Sequence, residues 1–282
     1  MSALTRWRAR ASRTRLRAPL AWIRHLGLNA SDVFLASYPR SGNTMLRFVL
    51  AEVLSGTPSS FDSIQRIVPE IGVQVRALPL TSGGGRLVKT HEPYRRTYRR
   101  VIYIVRDVRD VMLSSFARES ALDLLHIRNL DDYVLPFMQG KMTRFGSWQQ
   151  HVAGFLDSPL ARNGDLLVLR FEDMRNDLER TVNRCLEFLG KDAIPAAVRS
   201  AIRNNSLEKM RAKEDTAKTL PKSPEETGRW VGKGAIQGWR EKLSESQLTT
   251  IHHFAADSLT RLGYSLGSAQ PVIESSSEAI QV

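Results

Sequence analysis

Short apolar runs alternating with helical patterns limit what this chain can fold into more than any other feature. DVFLASY (32–38), GRLVKT (85–90), RVIYIV (100–105) and DLLVLR (165–170) are strand-length segments, and short apolar runs of this kind read as buried strands. NTMLRFVLAEVLSG (43–56) reads as a helix with Leu46, Val49, Leu50 and Val53 on one face and Gly56 as a stop. RDVRDVMLSSFARES (106–120) reads as a second helix, and helical patterns recur at 172–189, 195–204 and 245–262. Strands that alternate with helices predict an α/β fold, with a central parallel sheet flanked by helices on both faces.

With 282 residues and 42% hydrophobic composition, the chain has enough apolar material for a substantial core, and its length permits one large domain or two small ones. The pattern divides it into a basic arm (1–30), one domain (31–265) and a Ser-rich, acidic tail (266–282) that reads as disordered. The formal net charge of +12 points to an anionic partner: nucleic acid, an acidic membrane, or a phosphorylated or sulfated small molecule. Arginine excess can also reflect genomic bias. The arm carries Arg6, Arg8, Arg10, Arg13, Arg15, Arg17 and Arg24 and no acid before Asp32. It reads either as a solvated basic extension or as a peripheral anchor on anionic lipid, with Trp7, Trp22 and Ile23 as apolar contacts. Cys185 is the only cysteine, which excludes an intrachain disulfide and reads as a small core residue, compatible with a cytoplasmic, reducing setting. No apolar run approaches the length of a membrane-spanning helix.

Chemistry gathers where predicted strands end. YPRSGNT (38–44) joins the first strand to the first helix. In open α/β sheets ligands bind at the carboxyl ends of strands, and a helix N-terminus offers unpaired N–H groups to an anion. Gly42 lets backbone approach closely, Ser41, Asn43 and Thr44 add polar side chains, and Arg40 adds a charge; alternatively, the stretch is a turn in which Asn43 caps the helix. No GxxxxGK[ST] pattern is present. KTHEP (89–93) puts Lys89 and His91 two residues apart, on one side of an extended chain, where the ammonium keeps the imidazole neutral and able to accept a proton. IVRDVRDVMLSS (104–115) places Arg106 at a strand–helix junction and Ser114 two helical turns on, while Arg109 and Asp110 fit a set of solvated helix ion pairs. GRWVGKGAIQGWR (228–240) is Gly-rich and basic, as a lid over phosphates would be, or simply a flexible loop. TSGGGR (81–86) precedes a strand and reads as a flexible loop, and 212–238 reads as a long loop.

In this order the pieces resemble the sulfotransferases that use 3′-phosphoadenosine-5′-phosphosulfate (PAPS). YPRSGNT is similar to that family's YPKSGTT loop, KTHEP to KTHLP, RDVRDVMLS to RNPKDVAVS, GKGAIQGWR to RKGxxGDWK, RFEDM (170–174) to YEDL and NSLEKM (205–210) to TSFxxM. The resemblance spans about residues 32 to 265. It implies a single three-layer domain related to P-loop nucleotide kinases, with PAPS as cosubstrate. Arg40, Ser41, Gly42, Asn43 and Thr44 would hold the 5′-phosphosulfate. Arg106 and Ser114, with Gly232, Lys233 and Gly234, would hold the 3′-phosphate. Met45, Phe171, Asn205, Leu207 and Met210 would lie near the adenine. His91 would be the base, with Lys89 and Arg40 beside the transferring group and Glu92 next in line. The acceptor would be a hydroxyl compound (a glycolipid, sugar, small alcohol or phenol), in a pocket built from loops 57–84 and 119–150.

The chain departs from the family pattern at several positions. Arg40 replaces the loop Lys, Met45 the stacking Trp, Phe171 the Tyr of YED and Gly232 the Arg of RKG, for which Arg229 is the nearest substitute. The dimer motif KxxxTVxxxE is not matched, which leaves the oligomeric state open. No acid or His cluster has metal-ligand spacing, since His252 and His253 diverge on a helix, so no metal is expected. Rival readings are a nucleotide-binding pseudoenzyme, a phosphoryl-transfer enzyme, and a basic nucleic-acid-binding protein; strand-end placement of the basic motifs argues against the last.

Overall fold

The structure, a computed structural model, describes residues 22–122, 127, 129–220, 226–232 and 234–268. A four-stranded sheet is built from β1 (Val33–Ser37), β2 (Leu87–Thr90), β3 (Arg100–Val105) and β4 (Leu166–Arg170), in the order β2-β1-β3-β4. Every pairing is parallel, with Leu35 opposite both Lys89 and Ile102. β1 and β2 are buried along their whole length, which is why their sequences do not alternate with polar residues.

Because side chains alternate across a strand, each strand feeds two cores. Phe34, Ala36, Val101, Tyr103 and Val105 pack in one cluster with α2 (Val108–Ala121), α3 (Leu130–Met138), α4 (Trp148–Leu156), the single-turn α5 (Pro159–Asn163) and α10 (Glu245–Arg261). Val33, Leu35, Ile102, Ile104 and Leu169 pack in the other with α1 (Asn43–Ser55), α6 (Phe171–Asn176), α7 (Leu178–Phe188), α8 (Pro195–Asn204) and α9 (Leu207–Thr216). Helix, sheet and helix make three layers. Phe48, fully buried in the second core, is a position where truncation to Ala would cost about 3–5 kcal/mol. Cys185 is buried in that core as well.

Several local expectations need correction. The helical pattern at 172–189 divides at Asp177, whose φ of −144° breaks the helix and whose side chain then caps α7 by accepting from Arg180 N–H. The stretch 212–238 is not all loop, since α9 runs through Thr216. The 119–150 stretch contains α3, capped by Asn129 and carrying Pro136 inside, a residue that argues against a helix when read locally. TSGGGR is a short turn, Ser82–Gly84, followed by Gly85 packed so closely that a Cβ would lie 1.9 Å from the Ser31 carbonyl oxygen.

From β1 the chain runs by way of α1 to β2 on one side, and from β3 it runs by way of α2–α5 to β4 on the other. The sheet therefore has a switch point between the carboxyl ends of β1 and β3, where open α/β sheets form their ligand crevice. Arg40 and Arg106 both lie there.

Candidate active site

The loop after β1 is held open rather than capped. Its N-cap residue is Gly42, at φ 87°, with no side-chain cap on the first turn of α1. Asn43 turns away from the helix end instead: its Nδ2 donates to Leu35 O (3.1 Å) and Ser37 Oγ (3.2 Å). The alternative in which Asn43 caps the helix is therefore not the one the structure adopts. Gly42 is required on two counts, its left-handed backbone and a Phe171 ring 2.4 Å from where a Cβ would stand. Arg40 also sits in the left-handed region, at φ 68°, a conformation costing a non-glycine residue on the order of 1–3 kcal/mol and concentrated at ligand sites. Ser41 Oγ is buried with no partner among the described residues, a hydroxyl that a bound oxyanion would satisfy.

Two arginines converge over this loop. Arg106, from the end of β3, donates to Arg40 O (2.8 Å) through Nη1 and to Ala235 O (2.8 Å) through Nη2, with its Cζ 4.5 Å over the Phe171 ring. Its Nε is buried and has no partner among the described residues. Arg40 Nε donates to Ser114 Oγ (2.9 Å). Burial pushes Arg40 down to about 10, and Arg118 and Arg106 add to the shift; burial lowers Arg106 as well, although Asp110, Glu172 and Asp107 oppose it. Arg40 remains charged at neutral pH, so the site concentrates positive potential where it excludes water, the condition under which it attracts an anion most.

Residues 228–232 and 234–240 cross this cluster as a strap. Arg118 Nη1 donates to Gly228 O (2.7 Å), the N–H groups of Trp230 and Val231 donate to Glu214 (2.7 and 3.1 Å), and those of Gln237 and Trp239 donate to Asp110 (2.8 and 3.1 Å). Between these anchors Gly232 faces Arg40 and Gly234 faces Phe171, with Cβ positions 3.4 and 3.2 Å from the side chains. Lys233 lies outside the described residues. Arg229 forms an ion pair with Asp215. Asp110 and Arg109 are thus not solvated helix charges, as their spacing suggested. Asp110 is buried under the strap and its carboxyl is pushed up to about 6, chiefly by burial. Arg109 is buried too, paired twice with Asp107 (2.9 and 2.7 Å) and donating to Leu266 O and Ser265 O.

Just past β2, His91 packs against Ser37 at the end of β1, with Lys89 two residues before it on β2. His91 Nδ1 lies 2.8 Å from Ser37 O; a carbonyl can only accept, so Nδ1 carries the hydrogen and Nε2 the lone pair. Burial, then Lys89, push the imidazole down to about 3, so it is neutral across the physiological range. Lys89 Nζ is 3.3 Å from Glu70 Oε2; burial lowers the ammonium while Glu70 opposes that. Burial disfavours the Glu70 carboxylate, but Lys89, His91, Arg47 and Arg24 outweigh it and hold the group at about 2. His151 lies 3.1 Å from the His91 carbonyl through Nε2 and 2.8 Å from Tyr103 OH through Nδ1, bracing the segment from behind. Glu92 is buried and paired with Arg24 (2.8 Å), so it does not share the crevice with His91.

A model of the sulfotransferase domain matches residues 30–263. The chain belongs to the sulfotransferase family. Among the relatives of this sulfotransferase, Sulfotransferase 2A6 of Mus musculus is 26% identical over 234 residues, 77% of this chain and 80% of its own. Retinol dehydratase, solved with androsterone and the inactive cofactor PAP, has a similar fold at TM-score 0.66 and 22% identity, covering 84% of this chain and 83% of that one. Mouse sulfotransferase SULT7A1, complexed with PAP, gives TM-score 0.62 at 20% identity, covering 85% and 87%. These likenesses agree with the parallel sheet and flanking helices.

Of the residues expected at the adenine, Phe171 lies in the site itself, against Gly42 and under Arg106, while Asn205, Leu207 and Met210 come from the α8–α9 region. Asn205 donates to Glu52 Oε2 (3.0 Å) and Ala201 O (2.8 Å) and accepts from Lys213 Nζ (2.7 Å). Met210 is buried, Leu207 is exposed, and half-buried Met45 belongs to the same apolar cluster as Met210 and Phe171. Thr44 stands in the first turn of α1, half-buried. Glu70, Ser37 and Glu214 carry no motif in the sequence, and Asp110 reads there only as a solvated helix charge. Their only local signal is acid or hydroxyl in an otherwise apolar or basic stretch, and their partners come from distant parts of the chain.

Proposed function

We propose that this sulfotransferase transfers the sulfuryl group of PAPS to a hydroxyl acceptor, with His91 as general base. The observation that carries the reading is the locked His91 imidazole, whose Nδ1 is committed to Ser37 O at the root of the Arg40–Thr44 loop, leaving Nε2 to accept a proton. Two structural neighbours were solved with PAP, and one of them with androsterone, which bears a hydroxyl.

The residues present fit the nucleotide. Ser41 Oγ and Arg106 Nε, buried without a partner among the described residues, can each donate to a phosphate or sulfate oxygen. In this reading Arg40, Ser41, Gly42, Asn43 and Thr44, with the uncapped start of α1, take the 5′ end. Arg106 and Ser114, with Gly232, Lys233 and Gly234 of the strap, take the 3′-phosphate. Met45, Phe171, Asn205, Leu207 and Met210 form the adenine side. PAPS, when bound, supplies the sulfuryl group and a phosphate leaving group.

His91 Nε2 takes the proton of the acceptor hydroxyl as its oxygen bonds to sulfur and the bond from sulfur to the 5′-phosphate oxygen breaks. Lys89 and Arg40 supply fixed positive charge to the transferring and leaving oxygens, and such preorganised charge is worth most where water is excluded. Arg40 serves as a charge and not as a proton donor, since a guanidinium does not readily give up its proton. Incubation with PAPS labelled in its sulfuryl group and a panel of alcohols, phenols, sugars and lipids tests the reading. Label in an acceptor product, and PAP released in equal amount, are expected. Nucleotide binding without label transfer to any acceptor would leave a pseudoenzyme.

A further inference from the structure

One face outside the crevice is apolar and exposed, and its nearest acids, Glu70 and Glu92, are paired with Arg24. The helical turn that follows residue 21 presents Trp22, Ile23 and Leu26, and the adjoining loop presents Val73, Val75 and Leu78; Trp22 is 65% and Val75 71% exposed. The two segments form one surface. Gln74, itself buried, donates through Nε2 to Arg24 O (3.0 Å) and Leu26 O (2.8 Å), and Val75 touches Gly27. Arg24 of the same turn is not a free arm charge, because it is tied to Glu92 and to Ile71 O. The turn is therefore a built part of the domain rather than a loose tether, and its large side chains are held outward at a cost in solvation that scattered surface residues do not explain.

Charge selects the occupant. No Asp or Glu occurs between Glu70 and Glu92, nor before Asp32, while Arg66 and Arg76 are exposed beside the apolar side chains. The chain entering the face at Trp22 carries Arg6, Arg8, Arg10, Arg13, Arg15 and Arg17 in its preceding residues. Apolar side chains with an aromatic among them, rimmed by arginines and with the adjoining acids held in ion pairs, suit the interface of an anionic bilayer, where apolar insertion and attraction to headgroups add. We propose that the face made by residues 22–27 and 73–78 docks on anionic lipid bilayers, the arginine-rich arm and the apolar side chains acting together. The inference does not depend on sulfuryl transfer. It would place the end of β2 near the lipid surface, because Ile71, at the start of this loop, donates to Lys89 O (2.9 Å).

The test uses the full chain and phosphatidylcholine vesicles with or without phosphatidylglycerol. Wild-type protein should co-sediment with the anionic vesicles and much less with the neutral ones, and salt should weaken the binding. The exposed pair Val73→Asp/Val75→Asp should reduce partitioning by at least about tenfold, since it puts charge where apolar contact is needed. Brominated lipids should quench tryptophan emission in the wild type and quench it less in Trp22→Phe, a readout that needs no destabilising change. The proposal is overturned if the wild type ignores anionic vesicles, or if Trp22→Phe is quenched as strongly as the wild type. It is equally overturned if the double variant, folded by thermal melt, binds as the wild type does, which would leave the arm alone responsible. Self-association abolished by the same double substitution, with no vesicle binding, would assign the face to a second copy.

Discussion

The two halves of the crevice treat their cations in opposite ways. On the β1/β3 side, Arg40 donates to a hydroxyl and Arg106 to two carbonyls, so among the described residues no carboxylate pairs with either charge. On the β2 side, Lys89 faces Glu70 at 3.3 Å and His91 is neutral beside them. In the proposed reading the first half holds a multiply charged anion with cations that make no direct ion pair, although Asp110, Glu172 and Asp107 act on Arg106 through space. The second half moves a proton with a neutral base beside a cation that a paired acid holds in position. Both halves hang from Ser37, whose carbonyl holds His91 and whose hydroxyl accepts from Asn43.

The largest effect should come from the proton-transfer half. His91→Ala should lower turnover by about 10²- to 10⁴-fold, the usual contribution of a general base, and leave PAP affinity within about threefold. Equal loss in both, measured by labelled transfer and calorimetry, would erase the division between the halves. Next, Arg106→Ala should weaken PAP binding by at least about tenfold, a charge-assisted contact being worth about 1.5–3 kcal/mol. Adenosine 5′-phosphate, which lacks the 3′ group, should bind both proteins alike; a matching loss for that ligand would show that Arg106 does not read the 3′-phosphate.

Glu70→Gln sharpens the comparison. It leaves Lys89 buried without its partner, and turnover should fall about tenfold with PAP affinity little changed, one charge-assisted contact being at stake. Glu70→Asp, which keeps the charge, should recover part of the loss. A change in PAP affinity without a change in turnover would move Glu70 to the anion half.

The smallest effect is on stability against pH. Burial holds His91 at about 3 and His151 at about 4, below the ordinary imidazole value, so the unfolded chain binds these protons first. Stability from both is fully present above the ordinary value and is lost as pH falls through it toward the folded values. Thermal melts across that window should show a declining midpoint, with a shallower decline in His91→Ala. An unchanged slope would mean that His91 is not held neutral by burial.

Much of the scaffold was legible because its signals are local. The apolar runs at 32–38 and 100–105 became β1 and β3, and the pattern at 195–204 became α8. That Arg106 lies within reach of the β1 loop was legible from its strand-end position, while its contact with Arg40 O came from the sheet order. α3 was not legible, because Pro136 argues locally against a helix that tertiary packing supports, with Tyr133, Val134 and Phe137 all buried. The roles of Arg109 and Asp110 were misread for a related reason. Spacing on a helix gives which residues are neighbours, but not whether that face is wet.

What the sequence determined by itself was the alternation that produces a covered parallel sheet, and the placement of basic and hydroxyl residues at the strand ends. Both follow from backbone geometry within a few residues: side-chain period, helix period and the turn between them. What only tertiary structure decided was which charges are cancelled. Asp110 binds the N–H of Gln237 across 127 positions, Arg24 reaches Glu92 across 68, and Glu214 holds Trp230 through a turn of chain that no periodicity marks. Electrostatic energy depends on distance and burial in space, and neither is a property of any local stretch of chain.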